Sequence, residues 1–139
     1  MTRVYEVQAT AIGGRDGSVA TSDGRHRFLL APPEIDGSGS GASPEQLLAA
    51  GYASCFLSAL QSVAQDRDIR LPMDSNVTVK VGLRQSDPDG AELDLDVSLA
   101  VDLPQVSQDR IGEMVSEAHA RCPFSRALAA PTSVRTIVE

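Results

Sequence analysis

Hydrophobic and polar residues alternate along several parts of the chain, a pattern that predicts half-buried β-strands. Residues 76–84 and 91–101 flank the turn sequence DPDG and predict an antiparallel hairpin with one wet face. Residues 3–12 predict a first strand, and TSVRTIVE at 132–139 predicts a last one. The hairpin residues expected to face the core are Val77, Val79, Val81, Leu93, Leu95, Val97 and Leu99.

The first strand is expected to begin a meander. GGRDG at 13–17 supplies the glycines and the aspartate of a turn into a second strand. A third strand, residues 25–30, follows the turn SDG. The stretch DGSGSGAS at 36–43 is a flexible connector by composition, too short to separate domains. We therefore expect residues 1–139 to form a single domain, which is also what the length indicates.

A long helix is predicted after the connector. Ser43 is a good N-cap, Pro44 suits the first helical position, and Gln46 completes a capping box. This helix should run over residues 44–65. Its stretch 47–64 is apolar enough to test as a membrane span, but it is short and contains serines and glutamine, so a buried core helix is expected.

Apolar residues recur at helical spacing again from a start near Ser107. Pro123 disfavours helical geometry at Cys122, so this second helix should end there, and PFSRALAA predicts a short third one. Strands mixed with two packed helices indicate an α+β fold. The apolar stripe of the second helix is Ile111, Met114, Val115, Ala118 and Cys122.

The acidic composition excludes some partners. A formal net charge of −7 without any basic run argues against a nucleic-acid or anionic-membrane surface, because both need clustered positive charge. The first residues, MTRVYEVQAT, lack the apolar region of a signal peptide, so a cytoplasmic location is expected.

Cys55, in GYASCFLSAL, and Cys122 both lie on apolar faces of the two main helices. Their separation of 67 positions matches neither a zinc knuckle nor a thioredoxin-like motif. Two buried structural thiols are one interpretation, since free cysteine is commonly buried. A transient catalytic or sensing disulfide is the other, and spacing alone leaves both open.

A catalytic thiol needs a nearby cation, because burial alone raises its pKa. Arg15 stands in the glycine-flanked turn GGRDG, which could direct it into a site, although an isolated turn residue is usually solvated. Glu45 lies in the first helical turn, where a carboxylate also simply favours the helix dipole. With two cysteines and two histidines in all, no metal site is expected, and His119 is predicted to be a helix-surface or rim residue.

Three motifs in order, GGRDG, SPEQLLAAGYASCFLSAL and RCPFSRAL, resemble the organic hydroperoxide resistance protein branch of the Ohr/OsmC family. The resemblance covers essentially the whole chain. It implies an OsmC-like α+β fold, with antiparallel sheets packed around a long central helix and a second helix in an intertwined homodimer. It also implies a cysteine-based peroxidase without a cofactor, acting on organic or fatty-acid hydroperoxides and re-reduced by a lipoylated protein or another dithiol. The sister OsmC branch shares both cysteines, whereas GGRDG and PEQLLAAGY favour the first branch.

Carried over by motif, Cys55 would be the peroxidatic thiol and Cys122 the resolving one. Arg15 would stabilise the thiolate, and Glu45 would hold that arginine. Glu45 and Cys55 are ten positions apart, about 15 Å of rise and 80° of rotation on a straight helix, so they cannot share an arginine there. Either the helix bends near Gly51 or the arginine acts across a subunit interface, which we favour.

An apolar wall beside the thiol would suit a hydroperoxide with a hydrocarbon tail, since such a tail gains about 25 cal/mol per Å² on burial. Two alternatives remain: a non-catalytic lipid-binding or redox-sensing module, and an acyl hydrolase or transferase, for which no histidine is placed as a general base. Phe124 stands where the family often has tyrosine, and Arg126 where a small polar residue is common. The residues predicted for the wall are Leu47, Leu48, Phe56, Met114 and Phe124.

Overall fold

The computed structural model describes residues 2–31, 40–85, 88–89, 92–129 and 134–139. Within these residues the chain forms five β-strands, three α-helices and one short 3-10 turn. The α+β class predicted from the sequence is confirmed. The contacts divide the chain into two compact units, Met1–Leu48 and Ala49–Glu139. The single domain expected over residues 1–139 stays a prediction.

The first unit contains the predicted meander. Strands β1 (Ala9–Ile12), β2 (Ser18–Thr21) and β3 (Arg27–Leu29) form an antiparallel sheet in that order. β1 is shorter than residues 3–12, because residues 2–8 form no strand. Val4 in this stretch is 96% exposed. A β-strand needs a ladder of hydrogen bonds to a neighbour, whereas this stretch has a bond from the Ser22 N–H to the Gln8 carbonyl at its end and no ladder among the described residues.

Helix α1 (Pro44–Asp66) begins where the sequence predicts it. The Ser43 backbone N–H donates to the Gln46 side chain at 2.8 Å, and the Gln46 N–H donates to the Ser43 hydroxyl at 3.1 Å. This reciprocal pair is the predicted capping box. It satisfies two backbone donors at a helix end that would otherwise lack partners.

In the second unit, strands β4 (Asn76–Gln85) and β5 (Leu93–Asp102) form the predicted hairpin, with Val79 opposite Leu99. Helices α2 (Gln108–Arg121) and α3 (Pro123–Ala129) also match the prediction, and the Ser107 hydroxyl caps α2. The inner face of the hairpin packs with α1 and α2 in one core. The fully buried residues at its centre are Phe56, Leu60, Val63, Met114, Ala118 and Cys122.

Two details of the predicted core and edges are wrong. Leu93 and Leu95 are exposed rather than buried, because they lie at the turn end of the hairpin, beyond the hairpin valines that contact the core. Residues 134–139 form no strand, and Ile137 is 83% exposed. This stretch has the alternation of a strand but no paired neighbour among the described residues.

Some predictions fall outside the described residues: half of the connector, at 36–39, parts of the DPDG turn, at 87 and 90, and residues 130–133. Helix α1 is long and apolar enough to cross a membrane by length and composition, a test that core helices of soluble proteins also pass. The predicted packing of this helix in a core is confirmed, since Phe56, Leu60 and Val63 on it are fully buried.

Candidate functional site

The two cysteines lie side by side in the second unit. Cys55 is in the middle of α1, and Cys122 is the C-cap of α2. The two Sγ atoms are 3.6 Å apart, and both thiols are free. Cys122 is fully buried, whereas Cys55 is partly exposed. The arrangement gives one accessible thiol with a second thiol directly behind it, which is what an accessible nucleophile and a resolving partner require.

The environment of Cys55 opposes ionisation. Burial raises the pKa of the Cys55 thiol, and the adjacent Cys122 raises it further, through the hydrogen bond between the two thiols and through the repulsion between two thiolates at this distance. A hydrogen bond from the Phe124 backbone N–H acts in the opposite direction and lowers the pKa. Within the second unit the balance favours the neutral thiol, so a cation is required for reactivity near neutral pH.

Arg15 and Glu45 form an ion pair within the first unit. The Arg15 guanidinium donates through Nη1 to Glu45 Oε2 at 2.9 Å and through Nη2 to Oε1. This two-point contact fixes the plane of the guanidinium. It lowers the pKa of the Glu45 carboxyl and raises that of Arg15, so both groups stay charged near neutral pH. Arg15 keeps about half of its side chain exposed, which leaves guanidinium surface for a ligand.

The backbone conformation of GGRDG explains why glycines flank Arg15 in this turn. Gly13 has φ of 81°, in the left-handed region that favours glycine. A Cβ at Gly17 would lie 1.8 Å from the carbonyl oxygen of Ile12, a distance at which no side chain fits. The turn is therefore tightly closed and holds Arg15 within a 3-10 turn, Gly14–Asp16.

A hydrogen-bond chain that runs from the buried Tyr52 through Ser125 to the surface residue His119 adjoins the cysteines. The hydroxyls of Tyr52 and Ser125 are 2.6 Å apart, and the Ser125 hydroxyl is 2.8 Å from His119 Nδ1. Tyr52 and Ser125 are buried, and the imidazole of His119 packs on Phe56 with ring centroids 4.6 Å apart. His119 is exposed on α2, which confirms the predicted surface position, and its ring is held there by these two contacts.

The predicted apolar wall is only partly accessible. Leu47, Leu48 and Phe124 are half-buried, whereas Phe56 and Met114 are fully buried in the core. A groove of about 780 Å³ runs between the hairpin and the helices of the second unit. Phe56 belongs to its lining, and so do Tyr52, Leu99, His119, Ser125 and Leu128. Among the described residues, no group of three or more histidine, cysteine or acidic side chains is arranged to hold a metal ion.

Comparison with known proteins gives a consistent result. The family model of the OsmC-like proteins matches residues 37–137. An organic hydroperoxide resistance protein of Xanthomonas axonopodis pv. citri is 37% identical over 126 residues, covering 89% of this chain and 87% of that protein. The crystal structure of OhrB, the organic hydroperoxide resistance protein of Bacillus subtilis, superposes with a TM-score of 0.82 at 34% identity, covering 93% and 94% of the two chains. An organic hydroperoxide resistance protein from Legionella pneumophila superposes with a TM-score of 0.80 at 38% identity, covering 91% of each chain.

The chain is an OsmC-like protein of the organic hydroperoxide resistance branch. The resemblance drawn from its three motifs is therefore confirmed, as is the OsmC-like fold.

Sequence reasoning missed two polar residues of this OsmC-like site, Tyr52 and Ser125. Both carry a spacing signal, because Tyr52 lies three positions before Cys55 and Ser125 three positions after Cys122. Three positions are about one helical turn, so each stands near a cysteine. Nothing in the spacing shows that the two hydroxyls meet, since 73 positions separate them.

Proposed function

We propose that this protein is a thiol-dependent peroxidase that reduces organic, lipid-type hydroperoxides to alcohols. Its relatives are named for resistance to organic hydroperoxides, which supports a role in peroxide detoxification. The observation that carries the thiol mechanism is the 3.6 Å distance between Cys55 Sγ and Cys122 Sγ. Two free thiols this close, one of them accessible, suit a reaction that begins at one sulfur and ends as a disulfide.

The reaction proceeds in two displacements. The Cys55 thiolate attacks the distal oxygen of ROOH, an S–O bond forms, the O–O bond breaks, and the alkoxide leaves and takes up a proton to become ROH. Cys55 is now a sulfenic acid. The Cys122 thiolate then attacks the Cys55 sulfur, forming the disulfide and releasing hydroxide, which is protonated to water. A dithiol, such as a lipoylated protein, gives up two electrons and two protons to restore both thiols.

Arg15 acts in the first displacement. Its positive charge stabilises the Cys55 thiolate and the negative charge that develops on the peroxide oxygens. The geometry of the ion pair supports this role. Glu45 fixes the orientation of the guanidinium with two hydrogen bonds, and about half of the Arg15 side chain remains exposed. Since burial and Cys122 raise the pKa of Cys55, a cation of this kind is what the thiol lacks.

The preferred substrate carries an apolar tail. Cys55 is flanked in α1 by apolar residues, and the predicted wall of Leu47, Leu48 and Phe124 remains partly exposed. Phe56 and Met114 would support that wall from the core behind it. Hydrogen peroxide offers no tail to bury, so it should react less efficiently than a lipid-type hydroperoxide.

The working form is a homodimer in the cytoplasm. Exposed apolar residues at both ends of the chain support the dimer: Val4, Tyr5, Val134, Ile137 and Val138 are each at least 79% exposed. Alternating apolar residues that remain exposed in a single chain are a typical surface for strand pairing with a second copy. In that form Arg15 and Glu45 act on the Cys55 of the partner.

A thiol count and a turnover assay test the proposal. The reduced protein is treated with one equivalent of cumene hydroperoxide, and free thiols are counted, with Cys55→Ser and Cys122→Ser alongside. We expect the wild type to lose both thiols within one chain, Cys55→Ser to keep its remaining thiol, and Cys122→Ser to yield a trappable sulfenic acid. Multiple turnovers with dihydrolipoamide are expected.

Retention of both thiols by the wild type would contradict the peroxidase and leave two structural cysteines. One oxidation without turnover in excess dithiol would contradict it as well and would favour the redox-sensing module.

A further inference from the structure

We propose that Ser125 is a positioning residue for disulfide formation: its hydroxyl, held by Tyr52 and His119, keeps residues 122–125 where Cys122 Sγ reaches Cys55 Sγ. The catalytic meaning of this inference rests on the proposed function. Its geometric content, the pairing of the two thiols, does not depend on peroxide chemistry.

Cys122 stands at the joint of two helices. It ends α2 with an extended backbone, φ −74° and ψ 119°, and α3 begins at the next residue, Pro123. No residue separates Cys122 from either helix, so a rotation at this joint changes the position of Cys122 Sγ directly. Contacts that fix the position of α3 therefore also fix the position of Cys122 Sγ.

Ser125 ties this joint to both cysteine-bearing helices. Its hydroxyl is 2.6 Å from the Tyr52 hydroxyl on α1 and 2.8 Å from His119 Nδ1 on α2. Tyr52 is one turn before Cys55, and His119 is one turn before Cys122. One buried side chain thus connects the two helices close to the two sulfurs.

The hydrogen-bond chain is satisfied in either direction. Ser125 has one hydroxyl proton, so Tyr52 donates to Ser125 and Ser125 to a neutral His119 Nδ1, or His119 Nδ1–H donates to Ser125 and Ser125 to Tyr52. Both arrangements keep both bonds, so the tie persists whether His119 is neutral or protonated. Removal of the Ser125 hydroxyl leaves the buried Tyr52 hydroxyl without this partner, and removal of the Tyr52 hydroxyl leaves Ser125 bonded to His119 alone.

Phe124 anchors the same segment by packing. Its ring stacks on that of Tyr52, with centroids 5.8 Å apart and planes 19° apart. Gly51 leaves room for this ring, because a Cβ there would lie 3.3 Å from Phe124 Cζ. The packing places the Phe124 backbone N–H against the Cys55 sulfur. Ser125 adds what stacking lacks, a directional bond that stops the segment from sliding along the ring.

The hydrogen bonds of Ser125 matter for the reaction because the Cys55 sulfenic acid can react in two ways. Attack by Cys122 gives the reversible disulfide, whereas a second peroxide gives sulfinic acid, which is irreversible in most proteins. Fast attack by Cys122 needs its sulfur held near Cys55, since the two atoms must close from 3.6 Å to about 2.05 Å. Ser125 therefore protects the site from overoxidation.

The first test measures the disulfide equilibrium without peroxide. Wild type, Tyr52→Phe, Ser125→Ala and the control Ser116→Ala are equilibrated in ratios of reduced and oxidised dithiothreitol. Ser116 is an exposed serine of α2, so its removal leaves the joint intact. We expect Tyr52→Phe and Ser125→Ala to lower the equilibrium constant for the disulfide about tenfold, a shift of about 30 mV, and Ser116→Ala to leave it unchanged.

The second test separates the two displacements. In Tyr52→Phe and Ser125→Ala, the peroxide-dependent oxidation of Cys55 should stay within about twofold of wild type, while sulfenic acid persists about tenfold longer and sulfinic acid appears at lower peroxide. His119→Asn keeps an amide near the position of Nδ1 and should retain fast disulfide formation. His119→Phe keeps only the ring and should not.

Two results would overturn the inference: a wild-type disulfide equilibrium in the folded Tyr52→Phe and Ser125→Ala variants, or equal slowing of both displacements. Failure of the proposed function looks different, since the wild type would then form its disulfide in dithiothreitol but consume no hydroperoxide.

Discussion

At the scale of single residues, Cys55 is the group whose chemistry depends most on its neighbours. Burial and Cys122 raise the pKa of its thiol, and the Phe124 N–H lowers it. The wild-type thiol is thus neutral over a wider pH range than a free cysteine, and under the proposed mechanism Arg15 supplies the cation that it needs at neutral pH.

Replacing the second sulfur should make Cys55 more acidic. Cys122→Ser removes a neighbour that raises the pKa of Cys55, so the pH at which half of Cys55 is thiolate should fall. The rate of alkylation by iodoacetamide as a function of pH measures this value. Cys55→Ser, examined in the same way, gives the background from Cys122. An unchanged or raised pKa in Cys122→Ser would contradict the repulsion argument.

Replacing the cation should act in the opposite direction. Arg15→Ala should raise the pKa of Cys55 and lower kcat/KM for cumene hydroperoxide about 100-fold, the usual effect of removing one preorganised donor. Arg25→Ala is the matched control, because Arg25 lies in an exposed turn of the same sheet. Equal activity of Arg15→Ala and Arg25→Ala would remove Arg15 from the mechanism.

The ion pair also gives a pH dependence. The folded-state pKa of Glu45 lies below its ordinary value of 4.5, so the stability from its pairing is complete above that pH and disappears as the pH falls through the lowered pKa. Glu45→Gln should therefore be less stable than wild type at pH 7, with a difference that shrinks below about pH 4.5. Urea unfolding at both pH values measures the difference. A constant difference would show that Glu45 acts by packing alone.

At the scale of elements, α1 depends on its first turn as well as on its buried face. Ser43→Ala removes the hydroxyl of the capping box and should cost about 1 kcal/mol in the free energy of unfolding. Ser58→Ala, an exposed site in the middle of α1, should change stability by less than about 0.5 kcal/mol. Urea denaturation of the two variants makes the comparison. Equal values for both would mean that the cap contributes nothing.

The ends of α1 and α2 are joined by ion pairs that the hydrophobic pattern does not predict. Arg67 contacts Glu113 and Glu117 on α2, and Arg121 contacts Asp66 on α1 at 2.7 Å. These pairs are largely exposed, so each contributes little stability. They link the two helices that carry the cysteines at a second place, away from the buried core.

At the scale of the whole molecule, the exposed apolar ends account for the proposed dimer. Sedimentation should give twice the 14.7 kDa chain mass. Ile137→Asp should weaken the dimer about tenfold or more, whereas Thr136→Asp, with the same charge one position earlier, should have a much smaller effect. A monomer at all concentrations, or equal effects of the two variants, would contradict dimerisation through this segment.

Most elements were predictable because they depend on local rules. A few neighbouring residues are enough to predict each of three features. These are the capping box at Ser43 and Gln46, the end of α2 at Cys122 before Pro123, and the alternation of β4 and β5. The strands at residues 3–8 and 134–139 were predicted by the same alternation and do not form in the single chain, because a strand also needs a partner.

The features of the candidate site likewise divide into those that the sequence predicts and those that depend on tertiary packing. The chain by itself determined which residues are chemically competent: two thiols on apolar helix faces, an arginine on a glycine turn and a carboxylate in the first turn of α1. Only the tertiary structure decided that the two sulfurs lie 3.6 Å apart and that Ser125 meets both Tyr52 and His119. The reason is physical: periodicity fixes the face on which a side chain lies, but which faces meet depends on packing between elements distant in sequence.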